Sequence, residues 1–423
     1  MLENPEERKR KRQQDKARRQ AAQRNLIIRL IIAAAVLVLC GIVILVIALG
    51  IGFKKDPEPA SPSVTTQPVE NAQSEESQSD TTVIHFAATG DLNITQRVVA
   101  SGGANYDFSG AFLDVAPVLS SADLTTVNLE GDLAGAPYGS NGTAPQTMVQ
   151  TLRRAGVDMI QLANSYAVNR GVSGLMTTID SVRQAGMEPV GVFKDEAEFH
   201  DKQGFSLFEV QGVRIAVVAF TKGMARSTGL PPGNENCVNT LYSDYNSTYQ
   251  DIDKEKIDEI MKAVEKQEPD ITIALLHWGS EWNDSISKSQ DAICELLQEY
   301  GTDAIIGTHP HYLHKIDYNS ENGTLVAYSL GDFIGDAPEA GTEYSIILDM
   351  EITKDNTTGE ASVTGYSYTP IFTVTEKDKP VKVVRIREAI AAYESGYMEA
   401  VSQETYEAMK YALTRIEQRI AGE

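Results

Sequence analysis

A chain of 423 residues has ample length to bury one large core or two ordinary ones. Its charge is split, with 12 Lys and Arg against 4 Asp and Glu in residues 1–55 and 25 against 55 in the remainder. An acidic body of this kind excludes nucleic acid as a direct partner, because a basic face is what gains from counterion release, and three cysteines exclude a disulfide framework or a thiolate metal cluster.

In chain order, residues 1–29 form a basic segment carrying Arg8 to Arg12, Lys16, Arg18, Arg19, Arg24 and Arg29. Residues 30–53 come next, without a charge. At roughly 1.5 Å rise per residue they span the ~30 Å hydrocarbon layer, so one transmembrane helix is expected here. The positive-inside bias keeps the N-terminus cytoplasmic and exports the body, giving a single-pass protein of the cell membrane. A cleaved signal peptide is the rival reading, but its apolar core is normally only about 7 to 15 residues. A nucleic-acid-binding arm is the other reading of the basic run, set against its position beside an apolar span. Residues 54–80, rich in Pro, Ser, Glu and Gln, hold too few large apolar side chains to offset the entropy of ordering and read as a disordered linker.

After Thr81 short apolar runs alternate with helical patterns, the layout of an α/β fold. Buried strands are expected at Val83 to Thr89, Leu124 to Leu129, Val157 to Ala163, Ile271 to Leu276 and Ala304 to Ile306. Helices are expected near 147–155, 173–185, 251–267 and 287–300, the last capped by Ser287. Hairpins are expected at Phe205 to Thr221, turning at Gln211-Gly212, and at Leu313 to Ser329, turning at Asn322-Gly323. Two further strands lie near 343–353 and 361–374. The main domain is therefore drawn at 81–385 and a helical C-terminal tail at 386–423. Cys40 falls in the apolar run, leaving Cys237 and Cys294 as the one conceivable pair in the body.

The residues at the ends of the buried runs carry the chemistry. Gly90-Asp91, Glu130-Gly131, Asn164-Ser165, His277-Trp278 and His309-Pro310-His311 stand at five strand ends. In open α/β sheets ligands bind outside the carboxyl ends of strands, so acids and imidazoles would meet on one rim. The chain has six histidines, and three stand at these ends. Asp91, Glu130, His277, His309 and His311 are therefore the expected metal ligands. A mixed carboxylate and imidazole set without thiolate suits Mn, Fe or Zn, and a carboxylate such as Glu130 could bridge two such ions about 3.5 to 4 Å apart. Each residue also has a plainer reading: Asp91 as a turn or cap, Glu130 as a solvated loop acid, His277 as a satisfied core histidine. His309 and His311, alternating across Pro310, are expected to face one side of an extended segment. His85 reads as strand packing, and His200 and His314 as surface or supporting residues.

These motifs together resemble a known family. Gly90-Asp91-Leu92, Val127-Asn128-Leu129-Glu130-Gly131, Leu162-Ala163-Asn164, His277-Trp278-Gly279 with Glu281, Gly307-Thr308-His309-Pro310-His311 and Tyr328-Ser329-Leu330-Gly331-Asp332-Phe333 occur in the order found in CapA-type poly-γ-glutamate capsule proteins. The match covers roughly residues 83 to 336. The resemblance implies a branch of the calcineurin-like metallophosphoesterases, an α/β/β/α sandwich with a two-metal site, tethered outside the cytoplasmic membrane. It also implies supporting or substrate-contacting roles for Asn93, Asn128, Asn164, Ser165 and Glu281. The sequence departs from the family at Ser165, where an amide ligand is usual, and at Tyr166, where a histidine usually protonates a leaving group. A phenol with pKa near 10 is a poorer donor at neutral pH. Asn93 stands where the wider superfamily often has a histidine, and Asp332 where an asparagine is usual.

Three functions are thus expected to compete. The first is a membrane-anchored protein for synthesis or export of poly-γ-glutamate or another anionic surface polymer, working beside capsule-synthesis membrane proteins. The second is a metal- or polymer-binding relative that turns nothing over. The third is an extracellular metal-dependent phosphoesterase. No catalytic residue is assigned.

Overall fold

The computed structural model describes residues 81–224, 229–397 and 401–422. The expected basic segment, transmembrane helix and linker, residues 1–80, lie outside the described residues. No described helix is long and apolar enough to cross a membrane. The described residues within 82–354 and 361–422 group into one compact unit. By itself, the segment 355–360 is a turn in which the Asp355 carboxylate accepts hydrogen bonds from the Thr357 and Thr358 amides, at 2.7 and 2.9 Å.

The described strands in chain order are β1 (Thr81–Asn93), β2 (Leu124–Glu130), β3 (Met159–Gln161), β4 (Glu188–Val190), β5 (Ser206–Val210), β6 (Val213–Thr221), β7 (Ile271–His277), β8 (Ala304–Thr308), β9 (Ile316–Asn319), β10 (Thr324–Ala327), β11 (Asp332–Ile334), β12 (Tyr344–Asp355), β13 (Ala361–Val374) and β14 (Lys382–Arg385). They form two sheets. One runs β14-β13-β12-β1-β2-β3-β4, with β11 also paired to β1, and the other runs β5-β6-β7-β8-β10-β9. Pairs β1–β2, β2–β3 and β1–β11 are parallel, as are β6–β7 and β7–β8, so each sheet sends several carboxyl ends to one edge.

Side-chain alternation explains the layers. Along β6, Val213, Ile215, Val217 and Ala219 join a cluster shared with the first sheet, while Ala216, Val218 and Phe220 join a second cluster. That second cluster holds Ile257, Ile260 and Val264 of the helix Lys254–Gln267, and Ile293 and Leu297 of the helix Lys288–Glu299. A period of two residues therefore sends one face of the sheet to its partner sheet and the other to helices. The first cluster also takes in Met148 and Leu152 of the helix Thr147–Arg154, and Ile179 and Val182 of the helix Gly171–Gln184.

Local chemistry sets the element ends. Ser287 caps its helix through Oγ, which accepts from the Gln290 amide, while the Gln290 side chain accepts from the Ser287 amide. The β5–β6 hairpin turns through Gln211 and Gly212, both at positive φ. The tail comprises the helices Ile386–Glu394 and Gln403–Ala421, and Met409, Ala412, Ile416 and Ile420 of the latter are buried in the first cluster. Cys237 and Cys294 are both free and buried.

Candidate metal centre

Bringing the strand ends together depends on close backbone approach. A Cβ on Gly90 would lie 1.7 Å from the Gly331 carbonyl oxygen, so only glycine lets β1 run against the 330–331 segment. That approach lets the Asp91 amide donate to the Gly331 carbonyl at 2.9 Å, and it sets Asp91 opposite Asp332 in register. Gly307 plays the same part in the other sheet, where an added Cβ would meet the Tyr328 carbonyl oxygen at 2.1 Å.

Two buried groups of potential ligands result. Glu130, His277 and His309 form one, Asp91, His311 and Asp332 the other, and within each group the ligand atoms lie within 4.8 Å of one another. All five residues expected as metal ligands are placed in these groups. The groups adjoin. Asn128 donates from Nδ2 to Asp91 Oδ1 at 2.6 Å, and the same nitrogen is 3.4 Å from His277 Nδ1. The His309 amide donates to Asp91 Oδ2 at 3.0 Å, and the His277 and His309 ring centroids are 4.4 Å apart.

His309 and His311 do not lie on an extended segment. Their φ angles are +96° and +62°, a region that costs a residue with a Cβ on the order of 1–2 kcal/mol. The left-handed turns split the pair, sending His309 to Glu130 and His277 and His311 to the two aspartates. His311 Nδ1 is 2.7 Å from Asp332 Oδ1 and 3.7 Å from Asp91 Oδ2. Strain held at such positions is characteristic of sites over-determined by their surroundings.

The supporting residues take distinct places. Asn164 donates to Asn128 Oδ1 at 2.9 Å and to the Leu129 carbonyl at 2.7 Å, which fixes the amide that contacts Asp91. Ser165 Oγ is 3.0 Å from His277 Nε2, and Thr308 Oγ1 is 3.2 Å from His277 Nδ1. Burial raises the Asp332 carboxyl above its ordinary range, and hydrogen bonds from His311 and Asn93 only partly oppose it. Glu281 is exposed, and its charge acts on Glu130 and on Lys222. The Tyr166 ring sits against Gly142, where an added Cβ would come within 2.7 Å of it. Away from the groups, His85 is half-exposed and paired with Asp349 of the neighbouring strand β12 at 3.1 Å. His200 is exposed, whereas His314 is buried with Nε2 2.9 Å from the Asn283 carbonyl oxygen.

Sequence reasoning named Asp332 in a family motif without counting it as a ligand, and missed Lys222 and Trp282. Lys222 directly follows a buried run, so the strand-end rule would have found it, whereas Asp332 repeats the Gly-Asp step of Gly90-Asp91 but opens its own strand rather than following one. Nothing in the local sequence marks Trp282, which stacks on His311 at 4.4 Å between centroids with an interplanar angle of 18°.

Burial dominates the electrostatics. It pushes Asp91 up to about 6 and Glu130 well above the usual carboxylate range, with neighbouring acids adding to the effect. It pushes His277 and His309 well down, assisted by the other imidazoles and Lys222. For His311 burial also acts downward, but the hydrogen bond and charge of Asp332 prevail and raise it to about 10. His309 Nδ1 is buried with no hydrogen-bond partner among the described residues, and Glu130 Oε1, which accepts no hydrogen bond there, has only the His277 Nε2 beside it at 3.2 Å. Buried polar atoms are rarely left so, and an ion is one of the few things that satisfies a carboxylate oxygen and an imidazole nitrogen together. The neutral imidazoles of His277 and His309, beside oxygen donors and without thiolate, fit a divalent transition metal, which at the second group would have to displace the proton on His311.

A family model described as bacterial capsule synthesis protein PGA_cap matches residues 85–337, a span that begins in β1 and ends just past β11. The chain belongs to this family. Both ligand groups lie inside that span. It is 26% identical to the capsule biosynthesis protein CapA of Bacillus anthracis, over 62% of this chain and 61% of that protein, so less than two thirds of that relative is spanned. It is 28% identical to the PGA biosynthesis protein CapA of Bacillus subtilis, over 67% of this chain and 71% of that one. A probable polyglutamine synthesis accessory protein of Mycobacterium tuberculosis is 22% identical over 65% and 72%. Among solved structures, a novel phosphatase from Mycoplasma pneumoniae aligns with TM-score 0.41 and 15% identity, covering 69% of this chain and 94% of that one. A 5'-nucleotidase precursor from Thermus thermophilus aligns with TM-score 0.38 and 12% identity, over 80% and 59%.

Proposed function

We propose that this family member serves synthesis or export of poly-γ-glutamate capsule or another anionic surface polymer, and that it holds divalent metal in a metallophosphoesterase-like sandwich. Membership of the capsule synthesis family, and relatives named for capsule and polyglutamate biosynthesis, support the first part. The second part is carried by one observation: two adjoining buried groups of acid and imidazole, with His309 Nδ1 left without a hydrogen bond among the described residues and Glu130 Oε1 facing His277 Nε2 at 3.2 Å. Glu130, His277 and His309 would hold one ion, and Asp91, His311 and Asp332 a second. Bound Mn, Fe or Zn supplies Lewis acidity toward an anionic oxygen, which lets an acidic domain meet an anionic polymer or phosphoester. The chain's own part is positional. Asn128 and Asn164 fix the Asp91 carboxylate, while Ser165 and Thr308 hold the His277 ring. Anchoring through residues 30–53, with the domain outside the membrane, belongs to the same proposal.

A binding protein without turnover is the second reading, favoured by Ser165 and by Tyr166, whose ring is set against Gly142. Elemental analysis of the purified full-length chain tests the metal: two ions per chain agrees with the proposal, and a chain still metal-free after incubation with Mn, Fe or Zn removes it. Assay of a chromogenic phosphodiester then separates turnover from binding. Activity gained only in a Ser165→Asn, Tyr166→His double variant supports the second reading, whereas activity of the wild-type chain excludes it.

A further inference from the structure

The helix Gln403–Ala421 lies outside the span matched by the family, yet its last turn reaches the rim of the candidate centre. Arg419 is the contact. Its Nη1 donates to Asp284 Oδ1 and approaches the Leu313 carbonyl oxygen at 3.3 Å, its Nε is 3.2 Å from Tyr344 Oη, and its guanidinium lies 5.3 Å from the Tyr312 ring centroid. The side chain is 12% exposed. One side chain thus ties together the two segments that flank His311. The first, residues 280–285, is exposed and belongs to no described helix or strand. It presents Trp282, which lies flat on the His311 ring, meets Tyr312 edge-on and takes a φ of +56°. The Trp282 amide donates to the Pro310 carbonyl at 3.2 Å, closing the loop against the histidine turn.

From this arrangement we propose that Arg419 is a positioning residue: through Asp284 and Tyr312 it holds Trp282 over the His311 ring and so fixes that imidazole for the metal. The role of the centre itself rests on the reading given above. A left-handed φ at a tryptophan is unfavourable and relaxes unless something external holds the loop, and a planar fork with five donors is suited to gripping two segments at once. Groups that orient a ligand ring from behind typically change metal affinity by about 10- to 100-fold when removed.

The test uses the full-length chain and Mn(II) alone. Arg419→Gln and Asp284→Asn should each weaken Mn(II) binding about tenfold, the lower end of that range. Asp284 is largely exposed, so its variant keeps the fold even where Arg419→Gln does not. Iodide quenching gives a second readout that needs no metal. The chain has two tryptophans, and Trp278 is fully buried with its Nε1 bonded to the Tyr328 carbonyl, so iodide reports on Trp282. Quenching should rise in both variants. Wild-type Mn(II) affinity in folded Asp284→Asn overturns the proposal, and a rise in quenching without loss of affinity overturns it too, leaving Arg419 merely structural. A wild-type chain that binds no Mn(II) removes the metal reading instead. In that case the brace stands on iodide access, and unchanged quenching in Asp284→Asn sinks it.

Discussion

Asp332 shows how far single residues could be read. The rule that polar residues after buried runs line a rim picked out Asp91, Glu130, His277, His309 and His311, because each follows a run long enough to recognise. It passed over Asp332 because β11 is three residues long and begins at the aspartate itself, leaving no periodic run before it. The positive φ of His309 and His311 was equally hidden, since such backbone usually advertises itself by glycine. Asp332→Ala should reduce the metal content of the purified chain by one ion as read by elemental analysis, leaving the Glu130, His277 and His309 group loaded. Gly90→Ala tests the approach that pairs the two aspartates. A Cβ 1.7 Å from the Gly331 carbonyl oxygen forces β1 and β11 apart, and overpacking of this kind costs about 1–3 kcal/mol, measurable as a lower urea midpoint.

Among elements, the long strands and helices were legible, as was the short β9–β10 hairpin through its Asn322-Gly323 turn, while β4, β11 and β14 were not. β4 escaped notice because three residues carry no period, and β3 is shorter than its apolar run because pairing stops at Gln161. The start of the helix Gln403–Ala421 could not be read as docked, since its anchor is remote in sequence. Glu376 supplies it: one carboxylate oxygen accepts from the Ser402 amide at 2.6 Å and from Thr405 Oγ1 at 3.0 Å, and the other from Lys379. Burial acts against ionisation, but these hydrogen bonds prevail and hold Glu376 down to about 2. An unfolded glutamate titrates near 4.3, so ionised Glu376 contributes its full stabilisation above about pH 4.3 and loses it as pH falls toward about 2. Melting temperature against pH should therefore drop more steeply through that window for the wild type than for Glu376→Gln, and parallel curves would remove the assignment.

At the scale of the whole molecule, the α/β class and the alternation of strand and helix were readable from hydrophobic pattern, while the division into two sheets was not. Nothing in the pattern of β6 says that its odd-numbered residues face another sheet and its even-numbered ones face helices. A metal that binds only the folded state stabilises it by RT ln(1 + [L]/Kd), about 2.7 kcal/mol at 100 Kd. Chelator should accordingly lower the melting temperature by several degrees, and should do so much less in His309→Ala; identical melting with and without chelator would count against a loaded centre. The sheet order carries one more consequence. β1 is made first but sits in the interior of its sheet, between β2 on one side and β12 and β11 on the other. Those last neighbours emerge more than 230 residues later. A chain interrupted before residue 332 would therefore leave β1 paired on one side only, so closure of this domain waits on contacts remote in sequence.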